Sequence, residues 1–119
     1  MTAAGADIEI EVCDFDELAD PGSREFYFAE GRERGFVVRR GDELYAYRNH
    51  CMHVGYPLNW KPHEFLTRDG RNIICAAHGA IYRIDTGVCI EGPCPGKRLR
   101  AYPAAVRNGT VFVRIPASE

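Results

Sequence analysis

Gly, Pro, Asn and Asp interrupt this chain roughly every eight to twelve residues, and the stretches between them are short and rich in β-branched and aromatic side chains. Helices need longer uninterrupted runs, so the punctuation predicts an all-β domain. Strands are expected at residues 8–13, 25–29, 35–39, 44–48, 72–74, 81–84, 101–106 and 110–115. Two pairs of these should form hairpins, one reversing at Arg40-Gly41-Asp42 and the other at Arg107-Asn108-Gly109. In both, Gly or Asn can take the positive φ that tight antiparallel reversals require. The acidic stretch Asp14, Asp16, Glu17 and Asp20 is expected to form a short helix that Pro21-Gly22 ends.

At 119 residues the chain has room for one compact domain, and a single domain over 1–119 is expected. Hydrophobic residues at 45% and charged residues at 27% are ordinary globular values, which excludes a disordered or fibrous chain. The 15 basic and 17 acidic side chains leave a formal charge of -2, with no drive toward nucleic-acid phosphates. No apolar run approaches the roughly 18 residues of a membrane helix. Residues 1–7 lack a basic segment followed by an apolar one. The expectation is therefore a cytoplasmic protein that binds neither nucleic acid nor membrane.

Two stretches, 49–71 and 85–99, resist assignment to strands and hold the most unusual residues. Long loops in a compact β domain are usually functional. Five cysteines are an odd number, which argues against an all-disulfide framework and for metal or redox use in a reducing compartment. Of the five, Cys51 and Cys75 have a histidine close after them, in Cys51-Met52-His53 and Cys75-Ala76-Ala77-His78. A lone cysteine is most often a small buried hydrophobe and a lone histidine a hydrogen-bonded polar residue. Four such donors in two matching pairs, on loops, point instead to a metal. Zinc accepts a Cys2His2 set, yet its structural sites usually separate paired ligands by two or more residues, whereas one residue separates Cys51 from His53.

The segments Cys51-Met-His53-Val-Gly55 and Cys75-Ala-Ala-His78-Gly79 resemble the two cluster-binding boxes of Rieske proteins, most nearly the soluble Rieske-type ferredoxins of bacterial oxygenase systems. The resemblance is specific from Asn49 to Tyr82, with weaker support from Gly92-Pro93, which is similar to the proline loop that covers the cluster in relatives. It implies a Rieske-like antiparallel β-sandwich or barrel with a small cluster-binding subdomain, approximately 49–84, formed by two loops. It also implies one 2Fe-2S cluster per chain, with Cys51 and Cys75 on the inner iron and His53 and His78 on the outer one. The implied function is one-electron transfer from a reductase to an oxygenase or other redox partner. No bond-making chemistry of the chain's own is expected. The rival readings are a redox-sensing or electron-transfer small subunit of a larger enzyme and, further off, a zinc-stapled structural domain.

Mixed ligation has an electrostatic meaning. Two ferric ions, two sulfides and two thiolates sum to no net charge, whereas four thiolates would leave a double negative charge. An added electron is therefore accepted at a higher potential than in all-cysteine clusters. High-potential relatives carry an extra disulfide between the boxes and a serine hydroxyl after the second histidine; the matching positions here are Tyr56, Ala77 and Ala80. A low to intermediate potential is expected from their absence. Tyr82 matches a tyrosine that in the same relatives donates to a cysteine sulfur, although a half-buried strand aromatic would look the same.

The 21 residues between His53 and Cys75 are more than is usual in Rieske ferredoxins, and the surplus, 60–71, is expected to be a tolerated surface insertion rather than a partner-docking feature. His50 and His63 are not expected to be ligands. Cys89 and Cys94 flank Glu91-Gly92-Pro93 and are expected to be free thiols rather than a local disulfide. The run Lys97-Arg98-Leu99-Arg100 and the acidic stretch near residue 14 are read as solvated faces, though either could steer a partner of opposite charge.

Overall fold

The computed structural model describes residues 7–50, 57–59, 61–76 and 79–116. Among them are ten strands and no α-helix: β1 (Ile8–Asp14), β2 (Gly22–Phe28), β3 (Glu33–Arg40), β4 (Glu43–Arg48), β5 (Asn72–Ile74), β6 (Ile81–Arg83), β7 (Cys89–Glu91), β8 (Ala101–Tyr102), β9 (Ala104–Arg107) and β10 (Thr110–Ile115). Every ladder is antiparallel. They form three sheets, in the orders β1-β10-β9, β2-β3-β4-β8 and β5-β6-β7.

Both expected hairpins are present. Arg40 pairs with Glu43 across a two-residue loop in which Gly41 has φ +64°. Arg107 pairs with Thr110 across Asn108-Gly109, both at positive φ, as a type I′ reversal demands. The expected strand 101–106 is instead two, β8 and β9, which lie in different sheets on either side of Pro103. Proline fixes φ and has no N–H to give a ladder, so the strand breaks there. The expected short helix reduces to a single 3-10 turn, Phe15–Glu17, whose Glu17 carboxylate accepts the Asp14 N–H at 3.0 Å. The segment 85–99 contains one strand that the sequence reading left out, β7.

The β2-β3-β4-β8 sheet is the middle layer. Along β3, Phe36 and Val38 face one core and Val37 the other; all three have 0% exposure. On β4, Tyr47 and Ala46 divide in the same way. Period-2 alternation thus serves two cores at once, and the run Phe36-Val37-Val38 is apolar because neither of its faces meets water. The first core joins this sheet to β1 and β10 through Phe26, Phe28, Val37, Val111, Val113 and Ile115. The second joins it to the small β5-β6-β7 sheet through Phe36, Tyr47, Ile73, Tyr82 and Ile84. A Tyr47 O–H donated to the Ile84 carbonyl at 2.5 Å links the two layers directly.

The segment between the two boxes does not behave as a surface insertion. Phe65 has 0% exposure and stacks on Phe36, with centroids 4.1 Å apart and planes 6° from parallel. Leu66 bridges to Ile73 on β5. Ser23 on β2 donates to the His63 carbonyl at 2.8 Å and accepts the Phe65 N–H at 3.3 Å. The segment carries a core side chain and closes one edge of the second core, which a buried ring would predict and a freely variable loop would not.

Candidate metal centre

Of the four proposed ligands, Cys75 is described; Cys51, His53 and His78 lie outside the described residues, as do Tyr56, Trp60 and Ala77. Cys75 follows β5 and is fully buried, at 0% exposure. Its N–H donates to the Ala80 carbonyl and its own carbonyl accepts the Gly79 N–H, both at 2.8 Å. These two bonds join Cys75 to Gly79 and Ala80 at the adjoining ends of β5 and β6, so strand pairing fixes where the Cys75 side chain starts. Ala80, Tyr82, Cys89 and Cys94 are buried in the same cluster.

The first box is flanked by Asn49 and Leu58, and the two flanks are joined. Asn49 is the buried polar residue of the described chain, at 6% exposure, and both polar atoms of its carboxamide are hydrogen-bonded. Leu58 N–H donates to Asn49 Oδ1 at 2.6 Å, and Asn49 Nδ2 donates to Asn59 Oδ1 at 2.8 Å. The Asn49 N–H donates to the Arg34 carbonyl on β3 at 2.9 Å. Ala76 N–H then donates to the Leu58 carbonyl at 2.8 Å. A continuous series of bonds therefore runs from the central sheet through Asn49 and Leu58 to the residue beside Cys75. Asn49 and Leu58 were not singled out from sequence; an Asn just ahead of a ligand box was the available signal.

The far side of the turn is covered by Gly92. A Cβ built there would lie 2.7 Å from Ala80 Cα, so the covering loop packs backbone against backbone, and only glycine at its φ of +98° allows it. Tyr82 on β6 has 0% exposure, and its hydroxyl lies 3.4 Å from Cys94 Sγ. The sequence reading had not connected these two residues. Cys94 Sγ in turn lies 3.5 Å from Cys89 Sγ, and Cys89 donates to the Glu91 carbonyl at 3.1 Å. The two sulfurs are not bonded to each other in this structure, and burial pushes the Cys89 thiol's pKa up. Cys13, also free and buried, belongs to the other core.

The remaining candidates sort plainly. His63 Nδ1 accepts the Glu25 N–H at 3.2 Å, which gives it a structural partner on β2. His50 is half-buried, its N–H donating to the Arg48 carbonyl at 3.1 Å. The basic run is exposed at Lys97, Arg98 and Arg100, but its backbone does structural work: Lys97 accepts from Cys89 at 2.7 Å and Arg100 from Arg48 at 2.8 Å.

The model of the Rieske [2Fe-2S] domain matches residues 9–105. The chain belongs to this family. It is 24% identical over 122 residues to the menaquinol:cytochrome c reductase iron-sulfur subunit of Bacillus subtilis (strain 168), covering 95% of this chain and 71% of that protein. Among solved structures it is similar to the ferredoxin of carbazole 1,9a-dioxygenase from Nocardioides aromaticivorans IC177, with 26% identity, a TM-score of 0.72, and coverage of 88% of this chain and 95% of that one. The terminal oxygenase of carbazole 1,9a-dioxygenase from Novosphingobium sp. KA1 shares the fold, with a TM-score of 0.75 and 23% identity over 90% of this chain and 29% of that one.

Membership makes this an electron-transfer protein with one 2Fe-2S cluster, and decides between iron-sulfur and zinc. The described part of the site fits such a group. Cys75 is a soft sulfur donor, shielded from water and held in a turn whose backbone is fixed at both ends. Among the described residues no helix is long and apolar enough to cross a membrane.

Proposed function

We propose that this Rieske protein is a one-electron carrier that takes an electron from a reductase and passes it to an oxygenase or another redox acceptor in the cytoplasm. The cluster would be held by Cys51 and Cys75 through sulfur and by His53 and His78 through nitrogen, within one domain whose cluster-binding subdomain spans approximately 49–84. The observation that carries the ligand assignment is the bond from Ala76 N–H to the Leu58 carbonyl. It ties the flank of the first box to the residue after Cys75 in the second, as convergence on one centre requires.

When bound, the cluster supplies a site that gains and loses a single electron with little geometric change. The protein's part is to hold it. Cys75 contributes a thiolate from a rigid turn, Asn49 keeps the two flanks of the first box together, and Gly92 brings the cover close enough to limit water. Ala80 offers no hydroxyl, consistent with a low to intermediate midpoint potential. The carrier reading is supported by the 26% identity to a ferredoxin of similar length.

Purified protein should be brown, bleach partly with dithionite, and give a rhombic paramagnetic signal on reduction. Colourless protein lacking iron and acid-labile sulfide would overturn the assignment. Hydrodynamics separates carrier from subunit: a carrier migrates alone and exchanges between partners, whereas copurification with a large enzyme in constant ratio would favour the subunit reading.

A further inference from the structure

Beside the proposed cluster site lies a second sulfur pair, outside the proposed ligand set. Cys89, at the start of β7, and Cys94 flank the segment Ile90-Glu91-Gly92-Pro93, with exposures of 2% and 4% and Sγ atoms 3.5 Å apart. Their backbones are bracketed: Cys89 N–H donates to the Lys97 carbonyl at 2.7 Å, Gly96 N–H to the Cys89 carbonyl at 2.9 Å, and Lys97 N–H to the Cys94 carbonyl at 3.1 Å. Cys94 is buried inside a run, residues 90–98, whose other members are all exposed.

We propose that Cys89 and Cys94 form a redox-active dithiol that closes to an intramolecular disulfide by exchange with a small-molecule disulfide. The sulfurs need to approach by about 1.5 Å to reach bonding distance, a change that side-chain rotation can supply because the bracketing bonds already hold the two residues together. In the exchange, one thiolate attacks a sulfur of the oxidant and releases one thiol. The second cysteine then attacks the mixed disulfide and releases the other. Two Cys S–H bonds and the oxidant's S–S bond are broken; one Cys89–Cys94 S–S bond and two S–H bonds on the departing thiols are formed. The two electrons and two protons leave with the oxidant.

The surroundings suit a pair that is quiet at rest and reactive when opened. In the reduced state the thiols form part of a hydrogen-bonded series, Tyr82 Oη to Cys94 Sγ to Cys89 Sγ to the Glu91 carbonyl. Two buried methyl groups would fill the same space without any such series, so packing alone does not call for sulfur here. Access needs only local opening of the exposed 90–98 run and of the edge strand β7, not unfolding of the central sheet. Oxidation takes the hydrogen away from both sulfurs, so the Glu91 carbonyl loses its donor and the Cys94 sulfur can only accept from Tyr82. The loop that covers Ala80 is then covalently tethered across its own base.

The test exposes the holoprotein to glutathione disulfide, quenches in acid, denatures, alkylates with iodoacetamide and maps peptides by mass spectrometry. Untreated protein should alkylate at all five cysteines. Treated protein should alkylate at three, with the peptides of Cys89 and Cys94 joined and the link lost on adding dithiothreitol. Cys94→Ser and Cys89→Ser should each form no link between the remaining cysteine and any other. Alkylation of all five after treatment, a mixed glutathione adduct that never resolves, or a link involving Cys13, Cys51 or Cys75 in place of this pair would each overturn the proposal. The mass readout does not depend on iron. Loss of the visible spectrum in untreated protein would count against the cluster ligands, whereas an unlinked pair in brown protein would count against the dithiol.

Discussion

The two cores on either side of the central sheet are built by different means. The one shared with β1 and β10 is made by strands of six to eight residues in long ladders, broken by one register shift between Glu11 and Cys13 on β1, whose alternate side chains meet face to face. The one shared with the small sheet rests on strands of three residues, too short to fix their own position. Their place is set instead by individual polar contacts: Asn49 to Leu58, Leu58 to Ala76, Tyr47 to Ile84, and Ser23 to the 63–65 backbone. A register tolerates many substitutions because each residue contributes a little. A position set by single bonds depends on each of them, and that is the half of the molecule in which the proposed metal centre lies.

Cys75→Ser is expected to divide the halves most sharply. It should abolish the visible absorption and reduce bound iron to background, while the chain keeps most of its sheet signature by far-UV circular dichroism. Retained colour would remove Cys75 from the ligand set. Phe65→Ala empties a stacked, fully buried ring site between the central and small sheets, and should cost about 3–5 kcal/mol in urea unfolding. A loss below about 1 kcal/mol would show that the 60–71 segment is peripheral after all.

Asn49→Ala leaves the Leu58 N–H without its acceptor in a buried place, at a cost of about 1–3 kcal/mol. It should also speed iron loss to a chelator, and unaltered release would mean that Asn49 serves the fold alone. Tyr47→Phe removes one interlayer bond and should cost about 1 kcal/mol at neutral pH. Burial pushes the Tyr47 hydroxyl from 10.0 up to about 12, so its neutral form is favoured in the fold. That contribution is whole below pH 10 and declines as pH rises toward 12. The variant should lose stability less steeply than wild type over that interval, as read by urea midpoints at stepped pH.

The long strands were legible because alternation, β-branching and glycine-bearing turns agree along them. The hairpin loops at Gly41 and at Asn108-Gly109 could be located to the residue. Pro103 marks a break that the apolar residues on both sides of it disguise. β7 was missed because Gly92 and Pro93 signal a loop, while the strand is held by backbone bonds to Lys97 and by pairing with β6, neither of which leaves a side-chain pattern.

Phe65 was misread for a related reason. A single aromatic among Pro62, His63, Glu64 and Arg68 resembles loop composition, and only the partner ring of Phe36, 29 positions earlier, reveals that it is core. At the site, the Cys-His pairs declared a metal through spacing alone. The bonds through Asn49 and the meeting of Tyr82 with Cys94 are tertiary, and no local pattern encodes them.

Because Phe36 and Val38 point one way from β3 and Val37 the other, neither core can be opened without exposing the back of the strand that completes its neighbour. The metal-bearing layer consequently has no scaffold of its own to retreat to. Heated, such a protein should bleach and melt at one temperature, and its colour would report on the integrity of the whole chain.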